Sequence, residues 1–170
     1  MVPSSMTAPT APRRDDSRGG RLDLTRPDIG FSAAHFSMIE GKSERLHGHN
    51  YRVALRAWGR VGEDGTLVDF GALKNALRAE CAELDERVLL PGTSDTVTVR
   101  VDGDAVEARE ATRRYVFPRD DVRILPIANT TCECLAAHLL ARTRARLAEL
   151  PVRLEVTVEE LPGQSATMGE

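Results

Sequence analysis

Apolar and polar positions alternate in three stretches of this chain. In IGFSAAHF, Ile29, Phe31, Ala33 and His35 fall on one side, and in HGHNYRVALRAW the same parity collects His47, His49, Tyr51, Val53, Leu55 and Ala57, opposite Arg52 and Arg56. Period-two alternation predicts half-buried strands over about 27–37 and 47–59, and the short polar connection SMIEGKSER predicts that they pair antiparallel. The third stretch, VRLEVTVEEL, puts Val152, Leu154, Val156, Val158 and Glu160 on one face, against Arg153, Glu155, Thr157 and Glu159.

Elsewhere the period lengthens to that of a helix. After a turn at Gly65, Asp69 is placed to cap a helix whose inward positions are Leu73, Ala76, Leu77, Cys81 and Leu84, ending near Asp85. Thr130-Thr131-Cys132-Glu133 reads as a capping box with Thr130 as the cap, ahead of Leu135, Ala136, Leu139, Leu140 and Leu147. Between the helices, TVTVRVDGDAVEAR alternates around Asp102-Gly103 and predicts a hairpin over 96–109. The order strand, strand, helix, hairpin, helix, strand predicts an α+β domain with two helices on one face of an antiparallel sheet, whose edges oligomerisation would cover.

Composition narrows the setting. A chain of 170 residues forms one domain. The opening MVPSSMTAPTAPRRDDSRGG lacks an apolar run, so 1–24 is expected to be a disordered tail and 25–170 the folded domain. No apolar stretch follows Arg13-Arg14, as an export signal would need, and no segment reaches membrane-spanning length. The 3 cysteines do not suit a secreted disulfide framework, so a cytoplasmic protein is expected. A net charge of −3, dispersed basic residues and 4% aromatics argue against nucleic acid as partner.

Chemistry concentrates on the histidines. His35, His47 and His49 share the inward parity of two neighbouring strands, and zinc in catalytic sites takes three protein ligands with a fourth position open. His138, in an arginine-rich helical stretch, reads as a surface residue. Glu160 is the one carboxylate on an otherwise apolar face and needs partners, because burying it alone costs several kcal/mol.

FSAAHF, LHGHNYRV, VDFGALK, LDERVLL, NTTCECLA and VEELPG, in that order, resemble the 6-pyruvoyltetrahydropterin synthase and 6-carboxytetrahydropterin synthase family. The resemblance implies the tunnelling fold (T-fold): a four-stranded antiparallel sheet with two helices, assembling through barrel-forming trimers into a hexamer with sites between subunits. Here the hairpin is an insertion, placed to extend the assembly's surface or cover a site. By position, His35, His47 and His49 resemble the family's zinc ligands and Glu160 its pterin anchor, which accepts two parallel hydrogen bonds from the ring. Thr131 and Cys132 fall where the family binds the pterin edge, and Asp69-Phe70 matches its structural DF pair.

Two positions depart from the family's pattern. Where it carries a catalytic cysteine, four residues before HGH, this chain has Ser43, whose hydroxyl does not ionise near neutral pH. The family's Asp-His pair corresponds to Asp85 and Glu86. Three readings follow from the same pocket. One is a zinc-dependent lyase acting on the side chain of a 7,8-dihydroneopterin triphosphate-like substrate; in a variant of it, Glu44 takes the cysteine's place as base and the side chain is cleaved to 6-hydroxymethyl-dihydropterin. The other is a binding protein that holds a pterin or purine-like ring without turnover. A cysteine at a helix start has a lowered pKa, so Cys132 or Cys134 is an alternative thiol, although the two point about 200° apart.

Overall fold

The computed structural model describes residues 19–170. In chain order its elements are β1 (Gly19–Leu24), β2 (Gly30–His35), β3 (Met38–Ile39), β4 (Lys42–Ser43), β5 (His47–Arg60), α1 (Phe70–Ala82), β6 (Arg87–Pro91), β7 (Val97–Asp102), β8 (Ala105–Glu110), β9 (Arg113–Pro118), β10 (Val122–Leu125), α2 (Cys132–Arg146), β11 (Arg153–Leu161) and β12 (Gln164–Gly169). Residues 1–18 of the expected tail lie outside the described residues; Gly19–Leu24, assigned to the same tail, instead form a strand.

β5 organises the sheet because it is long enough to hold two partners along one edge. Its first half pairs antiparallel with β2, from His35 opposite His47 to Gly30 opposite Arg52, and its second half with β1, from Leu24 opposite Leu55 to Gly19 opposite Arg60. The other edge pairs with β11, which turns at Gly163 (φ 83°) into β12. This is the antiparallel T-fold sheet. Two parallel strands that the sequence pattern does not announce, β6 against β2 and β10 against β6, extend its five antiparallel strands to seven.

One face of the sheet carries Phe31, Ala33, Tyr51, Val53, Leu55, Ala57, Leu154, Val156 and Val158, and α1 and α2 cover it with Leu73, Leu77, Leu135 and Leu139. Each side chain buried completely in this layer stabilises by about 1.5–3 kcal/mol. Asp69 caps α1 as its position predicts, accepting from the Gly71 N–H at 2.8 Å and the Ala72 N–H at 3.3 Å. The cap of α2 is Thr131, one residue later than expected, with its oxygen 3.5 Å from the Cys134 N–H. Thr130 is fully buried, and its hydroxyl instead donates to the Phe36 carbonyl at 2.9 Å.

α1 and α2 are joined by a buried acid. Glu80, 2% exposed, accepts from Arg142 at 3.0 Å and from Arg146. His138 is not the surface residue expected: it is half-buried on α2, and burial, then the positive charge of Arg142, depresses its pKa. The expected hairpin is three strands, β7, β8 and β9, with a core of its own. Val97, Val106 and Ala108 pack there with Phe36, Leu90 and Val122, and the Tyr115 ring stacks 5.1 Å from that of Phe36.

Candidate functional site

The apolar layer becomes polar at one end, where the C-terminus of β2, the start of β5, the end of β11 and the first turn of α2 converge. His35, His47, His49 and Glu160 each bring a ligand atom there, all within 4.8 Å of one another. Gly48 lets the strands approach: a Cβ at that position would sit 3.2 Å from the Ala33 carbonyl oxygen. Glu160 has no partner of its own on β12, because the β11–β12 register shifts between Glu159 and Leu161. Such bulges re-aim a side chain beside a site.

Second partners fix the imidazole tautomers. The His35 Nδ1–H donates to the Thr130 carbonyl at 3.0 Å and the His47 Nδ1–H to the Arg45 carbonyl at 2.7 Å, so each Nε2 carries its lone pair as an acceptor. Burial, followed by the charge of His47, lowers the His35 pKa and favours its neutral, ligating form. The Tyr51 hydroxyl donates to His35 Nε2 at 3.1 Å. His49 Nε2 is buried without a well-directed hydrogen bond; Glu160 Oε1 lies 3.0 Å away but off the axis a bond requires.

An orphaned imidazole nitrogen beside two others with oriented lone pairs fits the donor set of a zinc ion.

A cavity of about 680 Å³ opens beside this cluster. Its lining includes Glu44, Thr131, Cys132, Glu160, Gln164 and Ser165. That volume suits a small-molecule ligand. The Cys132 thiol donates to Glu160 Oε2 at 3.3 Å, and burial, then the bond to and charge of Glu160, pushes its pKa up to about 12. This overturns the reading of Cys132 as an activated thiol: the acid at its side outweighs the helix terminus.

The structure brings seven of the expected residues together, His35, His47, His49, Glu44, Thr131, Cys132 and Glu160, and leaves three apart. Ser43 is engaged elsewhere, its hydroxyl donating to the Glu44 carbonyl at 2.8 Å and accepting from Arg113 at 3.1 Å. Asp85 accepts from the Ser32 N–H at 2.7 Å, and Glu86, with φ 55°, donates its N–H to the Ser32 carbonyl. Both are exposed, and Glu86 borders a second cavity, which Ser32, Ala34, Asn50 and His49 also line. Glu44, by contrast, lies in a segment whose charges suggest solvent, yet it is half-buried and faces the cavity.

Alternation did not single out Tyr51, Asn129, Thr130 or Arg113 as functional. Tyr51 reads as core, and the other three act largely through backbone groups: Asn129, for one, accepts from the Met38 N–H at 3.0 Å and donates to the Met38 carbonyl at 2.7 Å.

Comparison with known proteins places the fold. The family model for 6-pyruvoyl tetrahydropterin synthase matches residues 25–170. A Methanocaldococcus jannaschii protein provisionally named 6-carboxy-5,6,7,8-tetrahydropterin synthase is 30% identical over 141 residues, covering 80% of this chain and 86% of that one. Its Pyrococcus horikoshii counterpart, named in the same way, is 29% identical over 78% of this chain and 80% of its own. Among solved structures, Plasmodium vivax 6-pyruvoyltetrahydropterin synthase, in a mutant whose catalytic glutamate is replaced by alanine, superposes with a TM-score of 0.86 at 32% identity, covering 90% of this chain and 98% of its own. The Plasmodium falciparum enzyme gives 0.84 at 29%, over 89% and 98%. The fold is that of a pterin synthase-like T-fold protein. The chain belongs to the 6-pyruvoyl tetrahydropterin synthase family.

Proposed function

We propose that this protein is a zinc-dependent lyase that binds a 7,8-dihydroneopterin triphosphate-like substrate in the 680 Å³ cavity and cleaves its side chain with Glu44 as the base. The observation that carries this reading is the placement of Glu44 on the wall that also holds Glu160, while the Ser43 hydroxyl is occupied by Arg113 and a carbonyl. The solved relatives with a catalytic glutamate support it.

Glu160 is positioned to accept two parallel hydrogen bonds from a ring N–H and its exocyclic amine, giving up its contacts with Cys132 and His49 to do so. Thr131, at the start of α2, lies where the pterin edge would dock. Bound through His35, His47 and His49, zinc would polarise the side-chain oxygens and lower their proton affinity. Glu44 removes the proton of the C2′ hydroxyl as the C1′–C2′ bond breaks. The C2′ oxygen becomes the carbonyl of a two-carbon aldehyde that carries the triphosphate. The electron pair of the broken bond passes to C1′, which takes the proton back from Glu44, giving 6-hydroxymethyl-dihydropterin. The step is redox-neutral and needs no further reactant.

Assembly as a hexamer of two trimers belongs to the same proposal. The sheet ends in two unpaired edges, β10 and β12, which carry the exposed Ile124 and Met168. Among the described residues no helix is long and apolar enough to cross a membrane, in keeping with action in the cytoplasm.

The test is a mass-spectrometric product assay with 7,8-dihydroneopterin triphosphate on zinc-loaded and chelated protein, for the wild type and Glu44→Gln. Zinc-dependent 6-hydroxymethyl-dihydropterin that falls at least a hundredfold in Glu44→Gln is the expected result. Inorganic triphosphate with an unsaturated or oxo side chain would mean elimination in place of cleavage. Ligand retained without any product would mean a binding protein.

A further inference from the structure

The three-stranded sheet β7–β9 ends next to the segment that carries Glu44. We infer that it is a positioning device for that residue, acting through Arg113, an inference that rests on the reading of Glu44 as base.

Arg113 opens β9, directly after a turn in which Ala111 holds a left-handed φ of 42°. A non-glycine residue in that region is strained, and such strain persists only where surrounding contacts require it. A single nitrogen, Nη1, reaches three oxygens of one short segment: the Ser43 carbonyl at 3.2 Å, the Ser43 hydroxyl at 3.1 Å and the Glu44 carbonyl at 2.6 Å. Arg113 is half-buried and, among the described residues, makes no ion pair, although Glu110 stands opposite it in the β8–β9 register. Its charge is directed at backbone carbonyls. Those carbonyls face the guanidinium, and Glu44 lines the cavity.

The support behind Arg113 is rigid. Tyr115 and Phe117 of β9 lie face to face, 6.1 Å between ring centres and 8° between planes, and Tyr115 stacks on Phe36, the residue that follows the His35 ligand. The other side of the segment is held by the Glu44 N–H on the Ser37 carbonyl at 2.9 Å and by Asn129 on both polar groups of Met38. The β3–β4 hairpin between His35 and His47 is thus gripped from two sides, and Arg113 is the grip nearest the proposed base. A catalytic group displaced by about 1 Å can lose on the order of a hundredfold in rate. Arg113 therefore sets where the Glu44 carboxylate stands without touching substrate.

The test uses full-length protein and 7,8-dihydroneopterin triphosphate. Arg113→Met is expected to lower kcat by about 10- to 100-fold with KM changed less than about threefold. Arg113→Lys, which returns one nitrogen to the same oxygens, is expected to recover most of that loss. In the double variant with Glu44→Gln, removing Arg113 should cost nothing further, since it acts through that carboxylate. Independently of activity, amide hydrogen exchange at Glu44 in metal-free protein should quicken at least tenfold in Arg113→Met and return toward wild type in Arg113→Lys. Unchanged exchange, or multiplicative rate losses in the double variant, overturns the inference. A fully active Glu44→Gln overturns the base assignment instead, and with it the catalytic sense of the positioning, while the exchange measurement still decides whether Arg113 holds the segment. Should Arg113→Met fail to fold, Arg113→Lys carries the test through the kcat to KM split and the Glu44 exchange rate.

Discussion

Removing the Tyr51 hydroxyl should weaken the metal-free protein and tighten its hold on zinc by the same free energy. His35 gives its Nδ1–H to the Thr130 carbonyl, so Nε2 has only a lone pair, and the Tyr51 hydroxyl 3.1 Å away is its donor. Tyr51 is 2% exposed, and burial, with Glu160 next in weight, drives its pKa far above the ordinary phenol value, so it stays a neutral donor at any working pH. Such a bond contributes about 0.5–1.5 kcal/mol, and a buried acceptor left without its donor costs about 1–3 kcal/mol. Tyr51→Phe should therefore destabilise the metal-free protein by about 1–2 kcal/mol, which in a chain of this size lowers Tm by roughly 2–8 °C. The Nε2 lone pair cannot serve the phenol and a metal together. The wild type forfeits this bond on binding zinc and the variant has none to lose, so zinc should bind Tyr51→Phe about 5- to 30-fold more tightly. Thermal unfolding in excess chelator and a competition titration of zinc against a chromophoric chelator measure the two halves. Weaker zinc binding in Tyr51→Phe would refute the reasoning, because the hydroxyl would then be supporting the metal-bound state; an unchanged Tm in chelator would remove its premise.

Glu80→Gln should cost about 1–3 kcal/mol at neutral pH, since it takes the charge from two Arg hydrogen bonds. Burial alone would raise the Glu80 pKa, but the guanidiniums of Arg146 and Arg142 hold it below its ordinary value. Its contribution is therefore full above the unfolded carboxylate pKa, about 4.3, and fades as pH falls through the folded value; urea titrations of the two proteins should converge at acid pH. With its thiol raised to about 12, Cys132 should react with iodoacetamide at pH 8 at least about a hundredfold more slowly than free cysteine, and faster in Glu160→Gln, as peptide mass spectrometry would report. His49→Ala should lose about 10- to 100-fold in zinc affinity or more while keeping its fold, because the nitrogen it removes makes no directed hydrogen bond; loss of the fold instead would mean that His49 is structural.

The strands that made the site readable were the ones with one buried face. β2, β5 and β11 alternate because α1 and α2 cover one side, and the same parity that sorts Val53 from Arg52 puts His35, His47, His49 and Glu160 inward. α1 and its Asp69 cap follow from local chemistry as well. β6, β10 and β12 escaped notice for a shared reason: RVLLP, VRIL and QSATMG have no alternation, and each is a strand only because an unpaired edge of a neighbour is there to meet it, whereas β1 alternates only over the four residues RLDL, next to a polar tail.

The sequence by itself determined the fold class, the helices and the inward parity of the three histidines and Glu160, because periodicity and capping are properties of a few consecutive residues. Only the tertiary structure decided which groups act together. Ser43 and Glu44 are neighbours in a charged loop, and nothing local separates a hydroxyl held by Arg113, 70 positions away, from a carboxylate at the cavity wall. Asp85 and Glu86 follow α1 in a plausible motif, yet β6 runs beside β2 so that neither joins the histidine–Glu160 cluster, and Glu86 meets a second cavity that His49 also lines. Cys132 has the position of an activated thiol and the chemistry of a suppressed one, because β11 delivers Glu160 to its sulfur from 28 residues away. Those outcomes depend on distances between groups remote in the chain, and register and packing set such distances while local pattern does not.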